Sequence, residues 1–371
     1  MKKIEIITLH KVPNYGSVLQ TYASMKVFQD LGLNAEVIDY CPDRFKAEYR
    51  LQDEYNRLTF KHKNTLVKIF FSIIMKASLN KQTAVFDGFL TRFVKLTHRY
   101  NTLAELEELP PEADIYCTGS DQVWNTKTNG FVELPFYLSF VNNGGRKIAF
   151  SASFGRDRID VNEKMDILPW LKQYYGIGIR EKSGESVLSE MGIRNYKNTL
   201  DPTLTVDVTC WKELASTPNK KLSKYILIYE FNKNEKINRV AEKLAKETGC
   251  QIVRISYWYH KRQSKQKCIV LPEVDEFLGL IKNASYVVTN SFHAVAFSTI
   301  FKRQFVAIAP KAFSVRISDY LKLVGLKEYY IASEDQYLQC MKSINYDDVH
   351  KKIKDERIKT LSFLKDIVGM E

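Results

Sequence analysis

The sequence predicts an α/β protein with two Rossmann-like domains that face each other across a cleft. Its 371 residues exceed what one ordinary hydrophobic core accommodates, so two domains are expected. In both halves, short apolar segments typical of strands alternate with amphipathic segments typical of helices, which favours parallel sheets. Because such sheets bind ligands at the carboxyl ends of their strands, the loops at those ends are the first candidates for a site.

The first domain is predicted over residues 1–207. Strand patterns occur in "KIEIITLH", "NAEVIDY", "ADIYCTGSDQVW" and "KIAFSASFG", and a helix pattern occurs in "GSVLQTYASMKVFQDLG". A strand, a loop and a helix follow in "YGIGIREKSGESVLSEMG", and "NTLDPTLTV" indicates a short strand and a turn. Because Glu5 interrupts the apolar start of the chain, we expect a strand there rather than a signal peptide. Residues 43–100 are mostly helical in pattern and basic, which indicates an insertion.

The second domain is predicted over residues 224–340. A polar, turn-rich stretch at 208–223 precedes it and is typical of a linker. Strand patterns then occur in "YILIYEF", "CQIVRISYW", "YVVTN" and "QFVAIAP", and they alternate with helix patterns in "NEKINRVAEKLAKETG", "VDEFLGLIKNA" and "HAVAFSTIFK". Residues 341–371 are predicted to form a C-terminal helix that packs back on either domain.

The net charge of +12 is distributed unevenly. From Asp43 to Arg99 there are twelve Lys and Arg residues and five Asp and Glu residues, a net charge of +7, around the apolar "NTLVKIFFSIIMKASL". A core-facing helix with solvated basic neighbours explains this segment, and a surface that contacts an anionic membrane is the alternative. We expect no nucleic-acid binding, because the sequence contains no zinc finger and no RNP-type motif.

The six cysteines indicate buried thiols in a reducing cytoplasm. The shortest gap between them is 18 residues, so no CxxC pair and no zinc-ribbon spacing occurs, and we predict no metal site. No apolar run is long enough to span a bilayer. The expected location is therefore the cytoplasm, with peripheral contact to the inner face of the cell membrane as an extension of the basic-segment hypothesis.

Two loops in the first half combine residue types that bind sugars. The loop in "HKVPNYGSVLQTYA" precedes a helix whose free amides favour anions or sugar oxygens, although its glycine is also typical of an ordinary turn. In "CTGSDQVWN" an indole could stack on a sugar while a carboxylate and an amide bind hydroxyls, and an Asx turn with a buried tryptophan is the alternative. The candidate sugar-binding residues are Asn14, Tyr15, Gly16, Ser17, Gln20, Ser120, Asp121, Gln122 and Trp124.

Three other loops carry groups that suit an anion. Arg180 follows the apolar strand of "GIGIREKSGESVL", and its guanidinium suits phosphate or carboxylate, although a surface ion pair with a nearby glutamate is the alternative. In "VVTNSFHAVAFSTIF", His293 lies at the start of a helix, where a bound phosphate would favour its protonated form. A capping or packing histidine is the alternative. Lys311 and Arg316 in "APKAFSVRISDYL" could add positive charge to the same cleft.

Taken together and in order, six segments resemble the polysaccharide pyruvyl transferase family. They are "NYGSVLQTYA", "TGSDQVWN", "SASFG", "REKSG", "DPTL" and "VVTNSFHAVAFSTIF", within a region from about residue 8 to about residue 326. The resemblance implies a GT-B-like fold and transfer of a pyruvyl group from phosphoenolpyruvate to two hydroxyls of a sugar, which makes a cyclic ketal. The sugar would belong to a cell-surface polysaccharide or its lipid-linked precursor. Phosphoenolpyruvate would be a co-substrate, without a cofactor or metal.

The resemblance assigns His293 as the catalytic histidine and Arg180 as an arginine that binds phosphoenolpyruvate. Family members often carry arginine two residues before this histidine, where the chain has Ser291, and a subgroup reads "SFHG" where this chain reads "SFHA". We expect Arg316 or Lys311 to supply the missing charge. The candidate donor-binding residues are Arg180, Ser291, Phe292, His293, Lys311 and Arg316. The alternatives are a GT-B-type glycosyltransferase that uses a nucleotide sugar, and a non-catalytic sugar-binding homologue.

Overall fold

The protein folds into two α/β domains, each built on a parallel sheet. The computed structural model describes residues 1–52, 65–142, 144–218, 222–231, 233–259, 266–309 and 315–370. Every pairing between the named strands is parallel. The predicted fold class is therefore confirmed.

The first sheet has seven strands in the order β3-β2-β1-β4-β5-β6-β7. They are β1 (Lys3–Ile7), β2 (Asn34–Tyr40), β3 (Leu96–Tyr100), β4 (Ile115–Thr118), β5 (Arg146–Ala152), β6 (Gly176–Ile179) and β7 (Tyr196–Asn198). The helices of this part of the chain are α1 (Tyr15–Asp30), α2 (Thr65–Phe93), α3 (Leu103–Glu108), α4 (Thr126–Asn129), α5 (Val161–Leu171), α6 (Lys182–Glu190), α7 (Pro202–Thr205) and α8 (Val208–Leu214). Strand β3, at the end of the predicted insertion, is thus an edge strand of the sheet.

The second sheet has six strands in the order β10-β9-β8-β11-β12-β13. They are β8 (Tyr225–Tyr229), β9 (Gln251–Ser256), β10 (Lys267–Val270), β11 (Tyr286–Thr289), β12 (Gln304–Ile308) and β13 (Tyr330–Ile331). The helices are α9 (Glu235–Thr248), α10 (Val274–Asn283), α11 (Phe292–Ile300), α12 (Val315–Val324) and α13 (Tyr346–Val368). All five residues of β8 are buried, as expected for a parallel strand covered by helices on both faces.

Three local features differ from the sequence-based expectation. The predicted linker contains α8, which is capped by Asp207 and buries Trp211 against the core. The segment expected as a turn, "DPTL", forms the short helix α7, because Asp201 caps it and Pro202 occupies its first position. Strand β10 has no counterpart among the predicted strands. Each is a short element whose apolar pattern is too brief to recognise by periodicity.

Each sheet reverses its strand order once, between β1 and β4 and between β8 and β11. In open parallel sheets, ligands bind beside such reversal points, outside the carboxyl ends of the strands. The loops at these positions contain the predicted sugar-binding residues in the first domain, and residues 290–293 in the second. The topology therefore places two sets of candidate residues at the positions where open parallel sheets usually bind ligands.

Helices α2 and α13 connect the two domains. In α2, Gln82 Nε2 donates a hydrogen bond to the Tyr257 carbonyl at 3.0 Å, and the amide of Tyr259 donates to Ser78 Oγ at 3.1 Å. In α13, Thr360 Oγ1 accepts a hydrogen bond from the Leu200 amide at 3.1 Å, while its N-terminal part contacts α11. The C-terminal helix thus packs against both domains.

Candidate active site

The start of α1 meets the start of α11 at the junction of the two domains. A Cβ atom on Gly16 would lie 2.0 Å from Nδ1 of His293, so the imidazole ring packs directly on the glycine backbone. Asn14 caps α1, since its Oδ1 accepts a hydrogen bond from the Gly16 amide at 2.8 Å. Only glycine leaves room for the ring at this position.

His293 occupies the first turn of α11 and is 7% exposed. Ser291 caps this helix: its amide donates to Thr289 Oγ1 at 3.0 Å, and its own Oγ accepts from the Ala294 amide at 3.5 Å. Nε2 of His293 lies 3.7 Å from Oδ2 of Asp201 and has no hydrogen-bond partner among the described residues. The ring is thus held on its Nδ1 side by Gly16, while its Nε2 side faces a carboxylate.

Arg180 and Asp201 form a buried ion pair beside the histidine. Nη1 of Arg180 donates to Asp201 Oδ2 at 2.5 Å, and the guanidinium lies 4.8 Å from the ring centre of Phe292. Oδ1 of Asp201 accepts a hydrogen bond from the Thr203 amide at 2.9 Å. Asp201 therefore caps α7 with one carboxylate oxygen and binds Arg180 with the other. Burial alone would raise the pKa of Asp201, but the Arg180 charge and the hydrogen bonds hold it well below its usual range.

Asp121 links the same arginine to the second domain. Its Oδ1 lies 3.8 Å from Arg180 Nη2 and 3.4 Å from Arg316 Nη1, and its Oδ2 accepts a hydrogen bond from Ser17 Oγ at 2.9 Å. The residue has φ +78°, in the left-handed region, which a short polar side chain tolerates better than most. Burial would raise the pKa of Asp121, but the charges of Arg180 and Arg316 lower it. Burial and the Arg180 charge lower the pKa of Arg316 to about 10.

Several buried nitrogen atoms of this cluster have no hydrogen-bond partner among the described residues. They are Nε and Nη2 of Arg180, Nε of Arg316 and Nε2 of His293. Most buried polar atoms in proteins are paired, so a group of unpaired ones marks a site for a polar ligand. Each arginine uses Nη1 for its aspartate and keeps further N–H groups, which suit a ligand with several anionic oxygens.

Two carboxylates of the cluster lie outside the predicted set. Asp201 belongs to "DPTL", and its position before proline indicates a helix cap, which gives no reason by itself to expect a second role. Glu181 directly follows Arg180 and is buried, where its Oε1 accepts hydrogen bonds from the amides of Phe154 at 2.9 Å and Gly155 at 3.2 Å. Burial raises the pKa of Glu181. The alternative of a surface ion pair for Arg180 is wrong, because its partner Asp201 is buried.

Three predicted sugar-binding side chains belong to the core instead. Tyr15 donates a hydrogen bond to the Pro272 carbonyl at 2.7 Å and stacks on Phe277, so it joins the domains. Trp124 donates from Nε1 to the Phe136 carbonyl at 2.9 Å and is fully buried. Gln20 is also fully buried, with its amide directed to side chains of the first domain. The polar groups of Tyr15 and Trp124 are paired with backbone carbonyls, so the prediction of direct sugar contact is wrong for these two. Gln20 is equally buried, although its Oε1 has no hydrogen-bond partner among the described residues.

The other predicted residues lie in or beside the cluster. Ser120 Oγ accepts a hydrogen bond from Arg180 Nη1 at 3.3 Å. Gln122 accepts from the side chain of Asn125, and Asn14 lines a large cavity between the domains. Lys311 lies outside the described residues. Ser17, Ser120 and Asp121, which were predicted to bind the sugar, form one cluster with Arg180 and Arg316, which were predicted to bind the donor. The structure therefore does not separate the two predicted sets of residues.

The two-sheet architecture belongs to the GT-B-like fold class, and comparison with solved structures shows the same fold. The UDP co-structure of S. aureus MnaA matches with a TM-score of 0.57 and 11% identity, covering 100% of this chain and 98% of that one. UDP-GlcNAc 2-epimerase from Methanocaldococcus jannaschii matches with a TM-score of 0.52, 13% identity and coverage of 96% and 99%. AviGT4, a glycosyltransferase involved in avilamycin A biosynthesis, matches with a TM-score of 0.51, 9% identity and coverage of 100% and 99%. At such identities, the likeness concerns the fold alone.

Within this class, the chain belongs to the polysaccharide pyruvyl transferase family. The family model matches residues 14–311, which include Asp121, Arg180, Asp201 and His293 and end before Arg316. No curated protein matches the sequence significantly. Across the described parts of the chain, no helix combines the length and the apolar character needed to cross a bilayer.

Proposed function

We propose that the protein transfers a pyruvyl group from phosphoenolpyruvate to two hydroxyls of a sugar in a cell-surface polysaccharide or its lipid-linked precursor. The observation that supports this most is the group of unpaired buried nitrogens on Arg180, Arg316 and His293. Phosphoenolpyruvate carries a carboxylate and a phosphate, and its oxygens would accept hydrogen bonds from these atoms. The proposal includes no metal and no cofactor beyond this co-substrate.

In the proposed reaction, His293 acts as general acid. Its protonated ring gives a proton to the methylene carbon of phosphoenolpyruvate, which becomes a methyl group, and the neighbouring carbon gains oxocarbenium character. A sugar hydroxyl adds to that carbon, and its proton restores the imidazolium. A second hydroxyl then replaces phosphate, which leaves with the second proton, and the cyclic ketal closes. Asp201, 3.7 Å from Nε2, would orient the ring and balance its charge.

The experiment that tests the function is release of phosphate from phosphoenolpyruvate across a panel of sugar acceptors. Since general acid catalysis contributes roughly 10²–10⁴-fold, His293→Ala should lower the rate by about that factor. His98→Ala is a matched control, because His98 is an exposed residue of the edge strand β3. A rate near the wild-type value in His293→Ala would remove this residue from the chemistry.

Arg316 is proposed to replace the arginine that is absent at Ser291. Its Nη1 pairs with Asp121, and its Nε is buried without a partner among the described residues. Arg316→Ala should therefore raise KM for phosphoenolpyruvate more than KM for the sugar. An unchanged KM for phosphoenolpyruvate would contradict this role.

A nucleotide-sugar glycosyltransferase is the second candidate, because structures with this fold include a UDP complex and a glycosyltransferase. A thermal-shift comparison separates the two functions. The pyruvyl transferase should be stabilised by phosphoenolpyruvate, and the glycosyltransferase by a nucleoside diphosphate. Sugar binding without any phosphate release would instead indicate a non-catalytic sugar-binding homologue.

We further propose a cytoplasmic location with peripheral contact to an anionic membrane. The first half of α2 exposes the apolar side chains of Ile69, Phe70 and Ile73 to solvent, next to the exposed Lys76. Apolar groups beside basic ones suit the surface of an anionic bilayer. Flotation with liposomes that contain anionic lipid tests this, and absence of binding at low salt would count against it.

A further inference from the structure

The large cavity that Asn14 lines lies between the domains, and the proposed chemistry does not use it. Its volume is about 620 Å³, within the range of about 300–1,000 Å³ that is usual for small-molecule sites. Residues 12–14, before α1, form one wall together with Gln82 of α2. Residues that follow β8, and the end of β9 with the residues after it, form the other wall. Both domains thus contribute to the cavity.

Both walls of the cavity are connected to the surroundings of His293, which does not itself line the cavity. Asn14 lines it and binds the amide of Gly16, which packs on the imidazole ring. On the other wall, the amide of Phe231 donates to Asn290 Oδ1 at 2.8 Å, and this asparagine lies three residues before the histidine. Each wall of the cavity thus contains a residue that is hydrogen-bonded to a neighbour of the histidine.

The cavity presents aromatic surface to a ligand. The side chain of Phe231 is 59% exposed, and Trp258 lines the same wall. A large aromatic side chain left exposed in a cleft is typical of a binding surface, and aromatic faces pack well on the CH face of a sugar ring. Asn14 adds a side-chain amide that can bind hydroxyls.

The charges of the described lining residues favour an anion. Three are cationic, Arg50, Lys233 and Arg254, and one is a carboxylate, Glu230. Arg254 is buried and held in place by Glu230 Oε1 at 2.6 Å, whereas the exposed side chain of Lys233 pairs with Glu235 at 2.9 Å. A net positive cleft of this kind raises the local concentration of anionic ligands.

Helix α2 fixes the shape of the cavity. Gln82 lines it and donates to the Tyr257 carbonyl at 3.0 Å, so the insertion and the second domain are joined at the cavity wall. Lys81 adds an ion pair to Glu273 at 2.9 Å. The position of α2 thus controls the width available to a ligand.

We propose that this cavity is the acceptor site and that it takes an anionic sugar, either a sugar phosphate or a uronic acid. The acceptor role rests on the proposed pyruvyl transfer. The ring would stack on Phe231, the anionic group would lie near Lys233 and Arg50, and the reacting hydroxyls would point toward His293. Specificity for the acceptor then resides in the second domain and in α2, rather than in the predicted loop around Trp124.

The test measures binding of glucose, glucose 1-phosphate and glucuronic acid to the full chain by calorimetry at low salt. One or both anionic probes should bind at least about tenfold more tightly than glucose, since a hydrogen bond to a charged group is worth that much or more. Which of them binds identifies phosphate or carboxylate as the recognised group. Equal binding of all three probes overturns the proposal.

Two variants test whether the anionic probes bind in this cavity. Phe231→Ala and Lys233→Ala should each weaken the anionic probe about tenfold without changing the affinity for phosphoenolpyruvate. Lys243 is a partly exposed lysine of α9 that pairs with Asp335, and Lys243→Ala is the matched control that should bind as wild type. Unchanged binding in both variants overturns the assignment.

The experiments also distinguish failure of the acceptor-site proposal from failure of the proposed pyruvyl transfer. The second case is one in which the protein binds sugars but does not transfer pyruvyl groups. No acceptor would then support phosphate release, while the anionic probe would still respond to Lys233→Ala. That result would support sugar binding in the cavity and would contradict its role as an acceptor site.

Discussion

Replacing Gly16 by alanine should disable the histidine without unfolding the protein. The new Cβ would lie 2.0 Å from Nδ1 and 2.6 Å from Cγ of His293, whereas favourable contacts between such atoms begin at about 3.5 Å. The ring or the start of α1 would have to move by roughly 1.5 Å to restore a normal contact. Because a misplacement of about 1 Å can cost about 10²-fold, we expect kcat for phosphate release to fall about 100-fold in Gly16→Ala.

Gly88→Ala is the matched control for this variant. Gly88 also lies in a helix, and a Cβ there would meet nothing within 4 Å. Alanine stabilises a helix interior by about 1 kcal/mol relative to glycine, so this control should keep the wild-type kcat with an equal or higher Tm. Steady-state phosphate release gives kcat for both variants, and thermal unfolding gives their Tm. Wild-type kcat and Tm in Gly16→Ala would refute the packing of His293 on α1.

Two further predictions concern buried carboxylates. Asp201→Asn removes the hydrogen-bonded charge partner of Arg180 and leaves only Asp121 among the described residues, 3.8 Å away, so the free energy of unfolding should fall by about 3 kcal/mol in urea titrations. Asp335→Asn, at a side chain 83% exposed, should change the free energy of unfolding by less than about 0.5 kcal/mol. A similar small effect in both would contradict the buried pair. Burial raises the pKa of Glu5 to about 7, so its ionisation in the fold reduces stability as pH rises through that value. Glu5→Gln should therefore be more stable than wild type at pH 8, by on the order of 1–3 kcal/mol, and nearly equal to it at pH 4.5. Thermal unfolding of wild type and Glu5→Gln at the two pH values measures this. The same difference in Tm at pH 4.5 and at pH 8 would contradict the raised pKa.

Aspartates 121 and 201 respond to pH in the opposite sense from Glu5. Their folded-state pKa values lie below the ordinary value, so the stability that they contribute is present above about pH 4 and is lost as pH falls through the lowered values. The arginine cluster should thus remain charged and paired throughout the neutral range in which phosphoenolpyruvate is a multiply charged anion.

Sequence patterns predicted the elements of the site better than its contacts. His293 was expected at the start of a helix, and α11 begins at Phe292, because the change from strand to helix pattern is a local property. Trp124 and Tyr15 show the opposite case. An aromatic residue beside a polar loop can face a ligand or the core, and only the packing of Phe136 and Phe277 against them decides that both are buried.

By itself, the sequence determined the alternation of strands and helices, the two-domain organisation and the residue types available at the strand ends. These features follow from periodicity, length and motifs, which depend on neighbouring residues. Only the tertiary structure decided which charges meet. Arg316 reaches Asp121 across 195 positions of the chain, and Gly16 receives the ring of a histidine from the other domain. Such contacts depend on how the two sheets are placed against each other, and no local pattern encodes that distance.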